Sequence, residues 1–239
     1  MRRKRSGDGQ AQSQKAKRNE RLPWQENYMS NDITIEYSKD GFVCLSDILT
    51  DAVYDVRYYT SFNFTGEKID GYDEECIFFS KEGARLLCRV SEQAKELGYR
   101  LKIYDAYRPM RAIKHFLRWL DCDDEKMKEH FFPCLDKSDI VSGGYISPRS
   151  SHARGAAVDL TLIRIEDGKE LDMGAPFDYF GELSHPEFVY VTKEQWENRH
   201  ILQKLMTDNG FRPISTEWWH FQLVCEPFPD TYFDFPVKR

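Results

Sequence analysis

The sequence predicts a mixed domain of the α+β or α/β class, on three observations. Apolar stripes recur at helical period between capping signals, short β-branched and aromatic runs lie between those stripes, and the chain is rich enough in apolar residues to bury a core. Its 239 residues are 41% hydrophobic and 14% aromatic, which suffices for one large domain or two small ones.

Taken in order, residues 1–30 come first and carry eight Lys and Arg against three acidic residues. That is +5 in a chain of formal net charge −6, which leaves −11 for residues 31–239. The leader is read as a flexible basic tail, solvated or touching an anionic surface. Arg2 to Arg5 suit the start of a signal peptide, but no apolar stretch follows them. Cytoplasm is therefore the expected location, with an exported form as the alternative. Residues 31–239 read as one domain without repeats or linkers.

The first helix is expected over 81–97, with Ser80 as N-cap and Gly98 at the C′ position. Leu86, Leu87, Val90, Ala94 and Leu97 form its apolar stripe. A strand follows over 100–104. Pro109 suits the first turn of a second helix, whose face is Ala112, Ile113, Phe116, Leu117 and Leu120. A second strand is expected over 156–163. A third helix opens on Thr192-Lys193-Glu194-Gln195, a capping box, and closes before Gly210. The run 218–224 reads as a third strand.

Several function classes are excluded early. No run of 18 apolar residues exists, so no membrane span is expected. The acidic body lacks the basic footprint that phosphate binding needs, which argues against nucleic acid. Six cysteines lie without metal-ligand spacing; their even number permits disulfides, and free thiols are the expectation in a domain of this length. Nothing in the sequence reports on oligomeric state.

The chemistry begins at Ser150 to Asp159. On a straight helix His152 and Asp159 would sit about 10 Å apart; on a straight strand they would point to opposite faces. They converge only if the chain turns, and Gly155 permits a sharp turn. His152 is thus expected in a loop and Asp159 on the strand after it. A carboxylate between Val158 and Leu160 is costly to bury unless it is paired or binds a metal. Arg154 is the bland partner for it. Glu217-Trp218-Trp219-His220 adds an imidazole, a second carboxylate and large aromatics that exclude water. Two His and one Asp suit Zn²⁺, with Glu217 left over as a base. Asp105-Ala106-Tyr107-Arg108-Pro109 sits between strand and helix; Arg108 is either a structural ion pair or a donor for developing negative charge.

These segments resemble the zinc D-Ala-D-Ala dipeptidases of the VanX type, within a group that includes D-Ala-D-Ala carboxypeptidases and the Hedgehog signalling domain. The resemblance spans about residues 43–237. Ser150-x-His152-x-x-Gly155-x-Ala157-x-Asp159 and Glu217-x-Trp219-His220 mark the wider group. Asn63-Phe64-Thr65-Gly66 and Tyr232-Phe233-Asp234-Phe235-Pro236 narrow it to the dipeptidases. Asp55 to Tyr58, Asp172-Met173-Gly174 and Phe177-Asp178 also match. The resemblance implies a single α+β domain with a central, mainly antiparallel sheet flanked by helices. It implies one Zn²⁺ per chain on His152, Asp159 and His220, Glu217 as general base and acid, and Arg108 as transition-state stabiliser. Tyr58, Ser150 and Asp178 are expected to line a small substrate pocket, with Asp178 anchoring the substrate amino group.

The expected reaction is hydrolysis of a small D,D-dipeptide by a zinc-activated water, without a covalent intermediate. It would serve either to deplete the precursor that glycopeptide antibiotics recognise or to recover D-alanine. A carboxypeptidase acting on longer peptides and a non-catalytic zinc module are the rival readings. Tyr54 stands where the family pattern has Trp, and Ala175-Pro176 occupy a variable part of their segment.

Overall fold

In the computed structural model, residues 33–239 are described; the expected tail over residues 1–30 lies outside them. Fourteen elements are named here. Strands β1 (Thr34–Glu36), β2 (Phe42–Cys44), β3 (Val53–Tyr54) and β4 (Phe78–Ser80) precede helix α1 (Lys81–Glu96). Then come β5 (Tyr99–Asp105), α2 (Met110–Leu120) and two short helices, α3 (Lys128–Phe131) and α4 (Lys137–Ser142). Strand β6 (Ala157–Arg164), helix α5 (Lys193–Asp208) and strands β7 (Phe211–Pro213), β8 (His220–Leu223) and β9 (Thr231–Phe233) complete the chain.

The central sheet has five strands in the order β3-β5-β6-β8-β7. Only the β3–β5 pair is parallel; β5–β6, β6–β8 and β7–β8 are antiparallel. This is the expected α+β architecture with a mainly antiparallel sheet. Strand β6 lies at the centre, and seven of its eight residues are buried, as a strand covered on both faces requires. Two smaller pairs, β1–β9 and β2–β4, flank the sheet.

The three long helices form where their signals lie. The Ser80 hydroxyl accepts from the Gly83 amide at the start of α1. At α5, Thr192 accepts from the Gln195 amide while the Gln195 side chain accepts from the Thr192 amide, a complete capping box. Helix α2 has Pro109 at its N-cap, which lacks a side-chain acceptor. Asp234 supplies one from the far end of the chain, accepting from the Arg111 amide at 2.7 Å and from Arg111 Nε at 3.0 Å.

Two expectations need correction. Leu97 was placed in the buried stripe of α1 but is 57% exposed, because the helix has ended and the residue serves as its C-cap. The strand expected from 218 starts at His220. Glu217 to Trp219 form a turn instead, in which the His220 amide approaches the Glu217 carbonyl at 3.4 Å. The turn matters for the site: on a continuous strand, Glu217 and His220 would face opposite sides of the sheet.

Candidate metal centre

Each site residue is placed by a local feature of the chain. His152 lies in a single 3-10 turn, Ser151–Arg154, rather than in an irregular loop, and Gly155 ends the turn at φ +62°. The Ser150 hydroxyl caps this turn by accepting from the His152 amide. The chain then enters β6, on which Asp159 sits directly opposite His220 of β8 and Asp105 of β5. The turn at Gly155 and the pairing of two antiparallel strands thus bring two histidines and an aspartate to one spot.

Three donor atoms converge there. His152 Nε2 is 3.1 Å from His220 Nδ1, His220 Nδ1 is 3.0 Å from Asp159 Oδ1, and His152 Nε2 is 3.3 Å from Asp159 Oδ2. An ion held at about 2.0–2.1 Å in tetrahedral geometry needs its ligands about 3.3 Å apart. The spacing fits. All three residues are buried, and they are the one group among the described residues that offers such a set.

The proton positions fit as well. His152 Nδ1 lies 2.6 Å from the Ala106 carbonyl; a carbonyl only accepts, so Nδ1 carries the proton and Nε2 presents its lone pair inward. The Gln222 amide lies 3.2 Å from His220 Nε2, and by rotating about its axis an amide can receive an N–H there. His220 then directs the lone pair of Nδ1 at the same point. Burial lowers the pKa of His220, which favours this neutral form. Two lone pairs and a carboxylate aimed at one buried point form a group that could hold a cation.

Arg108 flanks the centre. Its Nε donates to Asp105 at 2.9 Å and its terminal nitrogen to Asp159 Oδ2 at 3.2 Å and to the Tyr58 hydroxyl at 3.4 Å. Arg108 therefore forms the ion pair that the sequence reading allowed, and it also borders the candidate centre. Arg154, the bland partner considered for Asp159, pairs with Glu226 instead. Tyr58 donates to both carboxylate oxygens of Asp178, at 3.2 and 3.0 Å.

Asp178 has φ +63°, a left-handed conformation that a side chain other than glycine adopts at some cost. The segment around it is pinned: buried Arg199 donates to the carbonyls of Met173, Leu183 and His185, and Trp218 Nε1 donates to the Ala175 carbonyl. Burial, with Asp159 adding and Arg108 opposing, pushes the Asp178 carboxyl up to about 7. Glu217 is buried and lies 3.7 Å from His220 Nδ1. Burial, reinforced by the charges of Asp159 and Asp178, raises its pKa well above the ordinary value.

Tyr58, Arg108, Ser150, His152, Asp159, Asp178, Glu217 and His220 all line one cavity of about 160 Å³. Sites for drug-sized ligands occupy about 300–1,000 Å³, so this one suits a much smaller molecule. Phe64 of the Asn63–Gly66 segment lines the cavity too, while Asn63 donates to the carbonyls of Thr60 and Glu67 to hold the loop. Residues 232–236 do not line it. Phe235 instead stacks on Tyr107 with ring centroids 4.0 Å apart, so this segment supports the strand end from behind. Tyr54 and Ala175-Pro176, the departures from the family pattern, also lie outside the lining.

Several neighbours escaped the sequence reading. Asp105 orients Arg108 and accepts from Tyr72 at 2.7 Å. The signal that singled out Asp159, a carboxylate at a buried strand position, was present there too. Gln222 lies two residues beyond His220 on the same strand face, a relation that the period of two makes visible. Tyr145 and Ile214 of the cavity wall lie in irregular segments and left no such trace.

Residues 38–238 match the family model for peptidase M15, D-ala-D-ala dipeptidase. The D-alanyl-D-alanine dipeptidase of Enterococcus faecium is 40% identical over 199 residues, 83% of this chain and 98% of the relative. That of Enterococcus faecalis is 38% identical over 201 residues, 84% of this chain and 100% of the relative. The corresponding protein of Streptomyces coelicolor is 38% identical over 197 residues, 82% of this chain and 98% of the relative.

Proposed function

Because the chain belongs to the M15 family of D-Ala-D-Ala dipeptidases, and so is a metallopeptidase, we propose that it hydrolyses the free dipeptide D-Ala-D-Ala to D-alanine at a single zinc centre. The observation that carries this reading is the convergence of His152 Nε2, His220 Nδ1 and Asp159 beside buried Glu217 in one small cavity.

His152, Asp159 and His220 would hold the ion; two nitrogens and one oxygen with an open fourth position suit zinc in a hydrolase. Bound there, zinc supplies Lewis acidity that makes water available as a nucleophile near neutral pH and polarises the scissile carbonyl. Glu217 takes the proton of the attacking water and later delivers it to the leaving amine. Its raised pKa makes it a stronger base than an ordinary carboxylate. The Arg108 guanidinium, aimed by Asp105, stabilises negative charge as it develops on the carbonyl oxygen.

Asp178, held by the Tyr58 hydroxyl, anchors the substrate ammonium, and Ser150 borders the pocket. The cavity volume supports a dipeptide over a longer stem peptide.

The test is a hydrolysis panel on zinc-replete protein: D-Ala-D-Ala, L-Ala-L-Ala and a stem pentapeptide ending in D-Ala-D-Ala. D-alanine release from the first alone is expected. Preferential cleavage of the pentapeptide would make the protein a carboxypeptidase, and no hydrolysis of any D,D-peptide would leave a zinc-containing binding module.

A further inference from the structure

Beside the catalytic cavity lies a second, wider depression of about 590 Å³, lined by His185, Phe188, Val189, Tyr190, Pro213 and Ile214 among others. Val189 and Tyr190 are exposed there. Ile214 lines both spaces. So the cavity and the depression are neighbours.

One of those contacts joins the two sides. Tyr145 lines the catalytic cavity, His185 lines the depression, and the Tyr145 hydroxyl lies 2.9 Å from His185 Nε2. Tyr145 follows Gly143 and Gly144 in the segment between α4 and the 3-10 turn of His152, and its ring packs against Phe180, centroids 5.5 Å apart. Gly144 has φ +80° and open space around it. The Tyr145 hydroxyl ties this segment across to residues 181–188, through His185 Nε2 and through the Gly181 backbone. That second segment is itself fixed: the His185 carbonyl accepts from Arg199, and the Ser184 carbonyl accepts from the Trp218 amide next to Glu217. The anchored partner is therefore His185, and the tethered one is Tyr145.

We propose that the Tyr145–His185 hydrogen bond is a size gate: it closes the catalytic cavity against the apolar depression and so excludes peptides longer than two residues. The proposal rests on the dipeptidase reading above. Opening the gate joins the two spaces, and the depression then accommodates the additional residue of a tripeptide. Tyr145 and His185 are specificity-determining residues in this account, and neither exchanges protons with the substrate.

The test compares turnover of D-Ala-D-Ala and D-Ala-D-Ala-D-Ala by the zinc-loaded wild type, His185→Ala, Tyr145→Phe and the double variant. Loss of the bond should raise the tripeptide-to-dipeptide ratio of kcat/KM by about tenfold, the factor that one net hydrogen bond is worth. The double variant should gain no more than either single one, because both remove the same bond. A second readout is independent of catalysis: amide hydrogen exchange over residues 143–149 should quicken by a similar factor, about tenfold, in His185→Ala. An unchanged ratio with dipeptide turnover retained overturns the gate, as does unchanged exchange over 143–149. A wild type inactive on the dipeptide overturns the dipeptidase reading, and the exchange measurement then still judges the tether.

Discussion

His220 Nδ1 lies 3.0 Å from Asp159 Oδ1, and the two residues face each other across paired antiparallel strands. Strand register fixes this relation, because sliding either strand by one residue would turn its side chain to the opposite face of the sheet. His152 joins them through the turn at Gly155. The candidate centre therefore lies on the buried central strand β6, where rigid backbone holds the side chains in place.

Glu217→Gln separates metal binding from catalysis. The three ligand atoms are untouched, so zinc content should match the wild type, while turnover of D-Ala-D-Ala falls by about 10²–10⁴-fold. Elemental analysis and D-alanine release on the same sample check both halves. An active variant would remove Glu217 from the role of base.

Arg108→Lys keeps the charge but loses the fork that reaches Asp105 and Asp159 together. Its kcat should fall by about 10²–10³-fold, the cost of one preorganised donor to an oxyanion. Asp105→Asn, which weakens the hold on Arg108 Nε, should lower kcat in the same direction by less. Steady-state kinetics that show KM alone rising would place Arg108 in ground-state binding instead.

The Asp178 carboxyl titrates at about 7 because it is buried, so it is neutral below that pH and ionised above it. An anchor for an ammonium must be ionised. The kcat/KM for D-Ala-D-Ala should therefore drop as pH falls through about 7, by way of KM, and Asp178→Asn should lose this dependence. Stability has the opposite sign. The folded-state pKa is raised, so the stability linked to protonated Asp178 is fully present below the ordinary carboxylate range and is lost as pH rises through about 7. Thermal melts should accordingly show Asp178→Asn gaining on the wild type above pH 7 and not at acid pH.

Gly155 has φ +62°, and a Cβ there would run into the Phe42 ring. Gly155→Ala should cost about 1–3 kcal/mol of stability from backbone strain alone, and it should weaken zinc binding because His152 is displaced with the turn. Chemical denaturation of metal-free and metal-loaded protein distinguishes the two effects.

Much of this was legible in the residues. The helices declared themselves through Ser80, Thr192 and Gly98, and the need for a turn between His152 and Asp159 followed from spacing. The buried carboxylate at Asp159 was visible as a charge within an apolar strand. The short strands β2, β3, β4 and β7 were not visible, because two or three residues give no period to read. Nor was the turn at Glu217–Trp219: its aromatic residues carry strand propensity, and tertiary packing overrides that when the Trp218 amide bonds the Ser184 carbonyl. The capping of α2 by Asp234, more than a hundred residues away, is invisible to any local rule. The same holds for the contact between Tyr145 and His185, which joins two loops.

A zinc centre on His152, Asp159 and His220 that drives dipeptide hydrolysis makes activity depend on the metal. The most direct measurement is D-alanine release from D-Ala-D-Ala by chelator-stripped protein as zinc is added back, with His152→Ala alongside. Activity should be absent at first, climb in proportion to zinc and level off at one ion per chain, while His152→Ala stays inactive and binds no zinc. Full activity without added metal, or a His152→Ala variant that binds zinc and turns over like the wild type, would contradict the account.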